Sequence, residues 1–169
     1  GYLESKNKQQ LVVDNVPWKY VRIAEGCNNN CSFCIIPQLR GMYKSRPVQN
    51  IVLEVKSLVS MGVKEINLIA QDIGSYGIDI FGKPSLTELL KQILKIKQNF
   101  WVRLLYIHPK NVTDELISII CSDDRICRYI DMPVEHVNDR LLKLCNRHVT
   151  KKYIYDIWGD TVNTASRME

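Results

Sequence analysis

Four times along this 169-residue chain a short β-patterned run precedes a stretch with helical spacing, and that alternation constrains the fold more than any other feature. Trp18 to Glu25 (WKYVRIAE) alternates large and β-branched residues, which predicts a first strand. Lys64 to Gln71 (KEINLIAQ) predicts a second, apolar enough toward its end to be buried on both faces of a parallel sheet. Trp101 to Ile107 predicts a third, stopped at His108-Pro109, and Arg128 to Met132 a fourth, ended by Pro133. Helices are expected between them. One opens at Pro47, runs to about Met61 with Ile51, Val52, Val55, Leu58 and Val59 on one face, and is closed by Gly62. A second begins at Pro84-Ser85 and buries Leu86, Leu89, Leu90, Ile93 and Leu94. A third spans about Thr113 to Cys121, capped by Thr113 or Asn111. Residues 72–83, with three glycines, read as a loop, and helices at about 138–146 and from about Thr150 follow the last strand. Such alternation gives a parallel sheet with right-handed crossovers, and ligands gather at the C-terminal ends of its strands. The cysteines after Glu25, Gln71-Asp72, Tyr106 to His108, and Pro133 to His136 are therefore expected to share one mouth.

At the first of those ends lies Cys27-x3-Cys31-x2-Cys34, three thiols within eight residues. Three thiolates so spaced can each take one iron of a cubic [4Fe–4S] cluster, leaving the fourth iron open. Electron-carrier clusters use four cysteines instead, with two-residue gaps in their short runs. Gly26 and the three asparagines at 28–30 suit a loop with unusual backbone angles. Zinc is the competing reading, but structural zinc wants four ligands, usually in paired CxxC units, and no CxxC partner follows. Cys121, Cys127 and Cys145 form no ligand pattern and read as buried free thiols. Metal or redox chemistry in a reducing compartment explains the six cysteines better than three disulfides.

Composition adds bounds. With 46% hydrophobic and 24% charged residues the chain reads as one ordinary globular domain. No apolar run approaches the roughly 18 residues that a membrane span needs, and the polar start shows no secretory pattern, so a cytoplasmic location is expected. The net charge of +5 suits a phosphate-rich partner such as a ribosome or RNA, yet no aromatic RNP stripe or GXXG loop is present. Among the scattered basic residues only Arg40 and Arg46, in the motif loop, are singled out from a solvated surface.

With Phe33 just before its last cysteine, the motif resembles the signature of radical S-adenosylmethionine (SAM) enzymes. Glu25-Gly26-Cys27 ahead of it, and Ile36-Pro37, Arg40-Gly41 and Ser45-Arg46-Pro47 after it, resemble the methylthiotransferase branch. Ala70-Gln71-Asp72, Tyr76-Gly77, Arg103-Leu104-Leu105-Tyr106 and Asp131-Met132-Pro133 look most like those members that methylthiolate an aspartate of a small-subunit ribosomal protein. The resemblance runs from about Trp18 to about Tyr155. It implies an α/β fold, a partial (β/α) barrel of the radical SAM type truncated here to about four βα units. A linker at 1–17, a core at 18–157 and a divergent tail at 158–169 follow from it. The chain is expected to be a core fragment of a longer parent, in which further domains carry a second [4Fe–4S] cluster and bind RNA. Its fourth strand would then be an unpaired edge.

The same resemblance implies roles. Cys27, Cys31 and Cys34 ligate a [4Fe–4S] cluster whose open iron chelates the amino and carboxylate groups of SAM. An electron from a reducing donor then cleaves the sulfonium to methionine and a 5′-deoxyadenosyl radical, which the protein directs at a C–H bond. Phe33 lies near adenine or simply packs the loop. Gln71 and Asp72 accept from the SAM ammonium or cap the loop after a strand. Arg103 and Tyr106 reach the SAM carboxylate, or Arg103 forms a structural salt bridge. Glu135 stands where the family usually has glutamine, and His136 reads as an ordinary satisfied histidine. The implied substrate is a small-subunit ribosomal protein or the ribosome. Two alternatives stay open: the sister branch acting on a transfer-RNA adenine, which tends to asparagine at the place of Asp72, and a non-catalytic cysteine-rich scaffold.

Overall fold

The structure, a computed structural model, describes residues 16–157. In chain order come β1 (Trp18–Arg22), β2 (Ala24–Glu25), α1 (Ile36–Arg40), β3 (Lys44–Ser45), α2 (Val48–Ser60) and β4 (Glu65–Ile69). A tight turn at Ile73–Ser75 leads to α3 (Ile78–Phe81), α4 (Leu86–Ile93) and β5 (Trp101–Leu104). Another at Pro109–Asn111 precedes α5 (Asp114–Ser122), β6 (Ile126–Ile130), α6 (Asp139–Leu144) and α7 (Lys151–Asp156). The expected linker, apart from its last two residues, and the expected tail lie outside the described residues.

Strands β1, β4, β5 and β6 form one sheet in that order, every pair parallel. Winding in one direction, with a helix between successive strands, makes this the partial barrel of about four βα units that was expected. Val21, Ile66, Leu68, Val102 and Leu104 point to the helical layer and are fully buried. Against them pack Ile51, Val55, Leu58 and Val59 of α2, Leu86, Leu89, Leu90 and Ile93 of α4, and Leu116, Ile119 and Ile120 of α5. Each such side chain contributes about 1.5–3 kcal/mol on burial, so this seam holds the strand ends in place. Double-sided burial holds only for the middle of β4, where Ile66, Asn67 and Leu68 are all enclosed. On the flanking strands Trp18, Tyr20, Trp101 and Tyr129 stay exposed on the face opposite the helices. Among the described residues no helix is long and apolar enough to cross a membrane.

Four boundaries depart from expectation for physical reasons. The first strand breaks at Ile23, whose N–H donates to Ile69 while its carbonyl accepts from Arg46. Ala24 and Glu25 thereby leave the main sheet and pair antiparallel with Ser45 and Lys44. The third strand ends at Leu104 because Tyr106 takes a left-handed backbone, φ +68°, that no strand continues. The fourth spans Ile126–Ile130, two residues earlier than expected. Residues 72–83 are a tight turn and the short helix α3 rather than plain loop. At α5 the open choice of cap falls to Thr113, whose Oγ1 accepts from the Leu116 N–H at 3.2 Å, while Asn111 faces elsewhere.

Candidate iron–sulfur centre

The cysteine loop is an excursion from the β2–β3 ribbon. At its neck Gly26 has φ +78°, and a Cβ there would lie 2.3 Å from the Met42 carbonyl oxygen, so only glycine fits. The Cys27 N–H donates to Gly41 (3.3 Å), and the Tyr43 N–H donates to Asn28 Oδ1 (2.9 Å), closing the neck. Asn30 takes the left-handed backbone that asparagine tolerates, and Cys34 N–H turns back to the Cys31 carbonyl at 3.0 Å. Cys27 ends buried, with Cys31 and Cys34 half-buried. Burial pushes the Cys27 thiol up; the Asn29 N–H pulls it back in part, and nearby Asp72, Cys31 and Cys34 push it further.

Beneath the loop sits Asp72, just past β4 and 1% exposed. Its Oδ1 accepts from the N–H groups of Gly74 and His108, both at 3.1 Å. Its Oδ2 accepts from Asn29 Nδ2 (2.9 Å), Ser75 Oγ (2.8 Å) and Asn111 Nδ2 (2.8 Å). The Asp72 carbonyl accepts in addition from the Tyr43 hydroxyl at 2.8 Å. The ends of β4 and β5 and the cysteine loop are thus joined through one residue. An enclosed carboxylate with five donors has no lone pair turned to a ligand, so the geometry favours the capping reading of Asp72 over direct contact with SAM.

The fourth strand end reaches the loop through Arg147, which follows α6 and is 4% exposed. One of its terminal nitrogens donates to Cys31 Sγ at 3.3 Å and the other to the Pro133 carbonyl. Around it the Ser32 N–H donates to Cys145 (3.2 Å), Ser32 Oγ to the Leu144 carbonyl (2.8 Å), and Asn146 Nδ2 to the Asn30 carbonyl (2.8 Å). The sequence marks Asn29 only as one of three loop asparagines and does not mark Arg147. Their partners lie 43 and 116 residues away, and no local spacing marks those contacts. His108, also enclosed, is held down to about 4, first by burial and then by the Arg147 charge, with Asp72 opposing.

The remaining expected site residues divide. Gln71 and Tyr106 line a cavity of about 160 Å³ at the strand ends, beside Arg22, Glu25 and Arg40. Phe33 projects from the cysteine loop, 58% exposed. Arg103 instead turns toward the N-terminal end of β4, where its Nε donates to Glu65 at 2.8 Å, and its guanidinium lies 5.6 Å from the Tyr129 ring. That is the structural salt bridge, and it takes Arg103 away from the mouth. Arg40 and Arg46 pair with Glu25 (3.1 Å) and Glu54 (2.6 Å). His136 Nδ1 accepts from the Asn138 N–H at 2.9 Å, a local turn contact. A larger cavity of about 780 Å³ lies between α2 and α4, lined by Val48, Val52, Leu53 and Phe81, and no residue of the cysteine loop lines it.

The donor set fits an iron–sulfur cluster. Three unpaired thiols share one loop, and the buried Nε of Arg147 beside them lacks an acceptor, which cluster sulfur can supply. Among the described residues no three of His, Cys, Asp and Glu converge as a ligand set for a single ion.

Residues 21–158 match the sequence profile of the radical SAM superfamily. The chain belongs to that superfamily. It is 51% identical over 138 residues to the ribosomal protein uS12 methylthiotransferase RimO of Clostridium botulinum, covering 82% of this chain and 31% of that protein. To the protein of the same name from Dictyoglomus thermophilum it is 50% identical over 142 residues, covering 84% of this chain and 32% of the other. The chain thus spans about a third of the length of the curated relatives it matches. Among solved structures, the radical SAM methyltransferase TsrM of Kitasatospora setae, with cobalamin and a [4Fe–4S] cluster bound, superposes with a TM-score of 0.67 at 18% identity. It covers 89% of this chain and 29% of that one, and the likeness supports the fold.

Proposed function

We propose that the chain is the radical SAM core of a methylthiotransferase acting on an aspartate of a small-subunit ribosomal protein. What carries this reading is the presentation of Cys27, Cys31 and Cys34 at the joined ends of four parallel strands, in a chain half identical to uS12 methylthiotransferases. When bound, the cluster and SAM supply the radical chemistry. The three cysteines serve as its thiolate ligands, and Asp72 holds their loop through Asn29. At about 160 Å³ the mouth cavity is smaller than the roughly 300–1,000 Å³ of whole-ligand pockets. It therefore takes the amino-acid end of SAM, with Gln71 and Glu25 accepting from the ammonium and Tyr106, Arg22 and Arg40 grouped around the carboxylate. Phe33 offers an exposed ring to adenine. The substrate is the ribosomal protein, the electron comes from a low-potential reductant, and a second cluster belongs to the longer parent.

Anaerobic reconstitution with iron and sulfide tests the first half. A brown protein whose electron-spin signal changes on adding SAM, and which forms 5′-deoxyadenosine under dithionite, is expected; a colourless protein holding one zinc per chain overturns it. The substrate half is tested with a uS12 peptide deuterated at the aspartate β-carbon. Deuterium in the 5′-deoxyadenosine assigns hydrogen abstraction to that carbon, and transfer from a labelled transfer-RNA adenine instead assigns the sister branch.

A further inference from the structure

We propose that Arg147 is a positioning residue that sets the cluster's reduction potential, through its N–H bond to the Cys31 sulfur and the charge it brings there. The inference rests on the cluster reading above. A guanidinium 4% exposed is costly to desolvate and is normally met by a carboxylate. Among the described residues none lies within ion-pair distance of Arg147. Its partners are the Cys31 sulfur and the Pro133 carbonyl, and its Nε has none. The missing countercharge is what a cluster with three thiolate ligands brings.

Arg147 is also held so that it cannot turn away. Its N–H donates to the Leu142 carbonyl at 3.0 Å, and the flanking Asn146 and Ser32 contacts pin the end of α6 to the cysteine loop. Reduction adds one negative charge to the cluster, from [4Fe–4S]2+ to [4Fe–4S]1+, the electron coming from dithionite or a low-potential electron carrier. Net charge and hydrogen bonds to sulfur set such potentials. A fixed cation bonded to a ligand sulfur favours the reduced state, so removing it lowers the potential.

The test is a potentiometric titration of the reconstituted chain, read by the electron-spin signal, with iron content and circular dichroism measured alongside. At a fixed potential R147M should carry about tenfold less reduced relative to oxidised cluster than the parent, which for a one-electron couple is about 59 mV. R147K keeps the charge and should stay near the parent. A loaded R147M with the parent's potential overturns the proposal. If R147M does not load, R147Q takes its place against R147K: a lowered potential in R147Q alone supports the proposal, and equal potentials overturn it. Failure of the parent to take up iron and sulfide would count against the cluster reading itself.

Discussion

Two carboxylates mark the two ends of β4, and they do opposite work. Glu65, at the N-terminal end, is half-buried and shares one ion pair with Arg103, which holds its carboxyl below the usual carboxylate range. Asp72, seven residues on in the chain, is enclosed and takes five hydrogen bonds from five residues. The same chemical group is a surface pair at one end and the seat of the candidate site at the other. Solvent makes the difference: water replaces Arg103 for Glu65 at little cost, whereas nothing replaces the five donors around Asp72.

The sharpest way to break that contrast is Asp72→Ala. It leaves five donors facing a dry cavity and should cost about 3–5 kcal/mol in denaturant unfolding; a loss under about 1 kcal/mol would erase the distinction between the two ends. Acidification probes the same pocket. His108 titrates near 6.5 when unfolded and is held down to about 4 in the fold. Between those values the unfolded chain binds the extra proton, so stability should fall by about 3 kcal/mol as pH drops from about 6.5 to about 4 and change no further below. His108→Asn should flatten that stretch of the stability–pH curve. Asn29→Ala removes one of the five donors and should cost about 1–2 kcal/mol, with a fall in iron retained after reconstitution. Unchanged stability and iron would mean that Asp72 organises its own turn and not the cysteine loop. At the other end Glu65→Gln should cost at most about 0.5 kcal/mol, and that difference should vanish in high salt.

Much of the fold was legible in the chain because hydrophobic periodicity is local. The runs from Trp18, Lys64, Trp101 and Arg128 each gave a strand of the parallel sheet, within a few residues at the ends. The break at Ile23 was not legible, since it depends on Arg46 and Ile69 arriving from elsewhere. At the site, the spacing of the three cysteines announced itself. The choice between ligand contact and loop capping for Asp72 did not, because Gly74 and Ser75 supply only two of its five donors and the other three come from Asn29, His108 and Asn111, 36 to 43 residues distant.

By itself the sequence determined what nearest neighbours and short repeats can encode: a one-way succession of strands and helices, a glycine-necked loop carrying three thiols, and the radical SAM family. Only the tertiary structure decided that Arg103 turns to Glu65, that Asp72 faces inward beneath the loop, and that Arg147 meets Cys31 across 116 residues. The reason is physical. A polar side chain withdrawn from water takes whichever partner the packed elements bring within about 3 Å, and that is a property of the assembled layers rather than of any one stretch of chain.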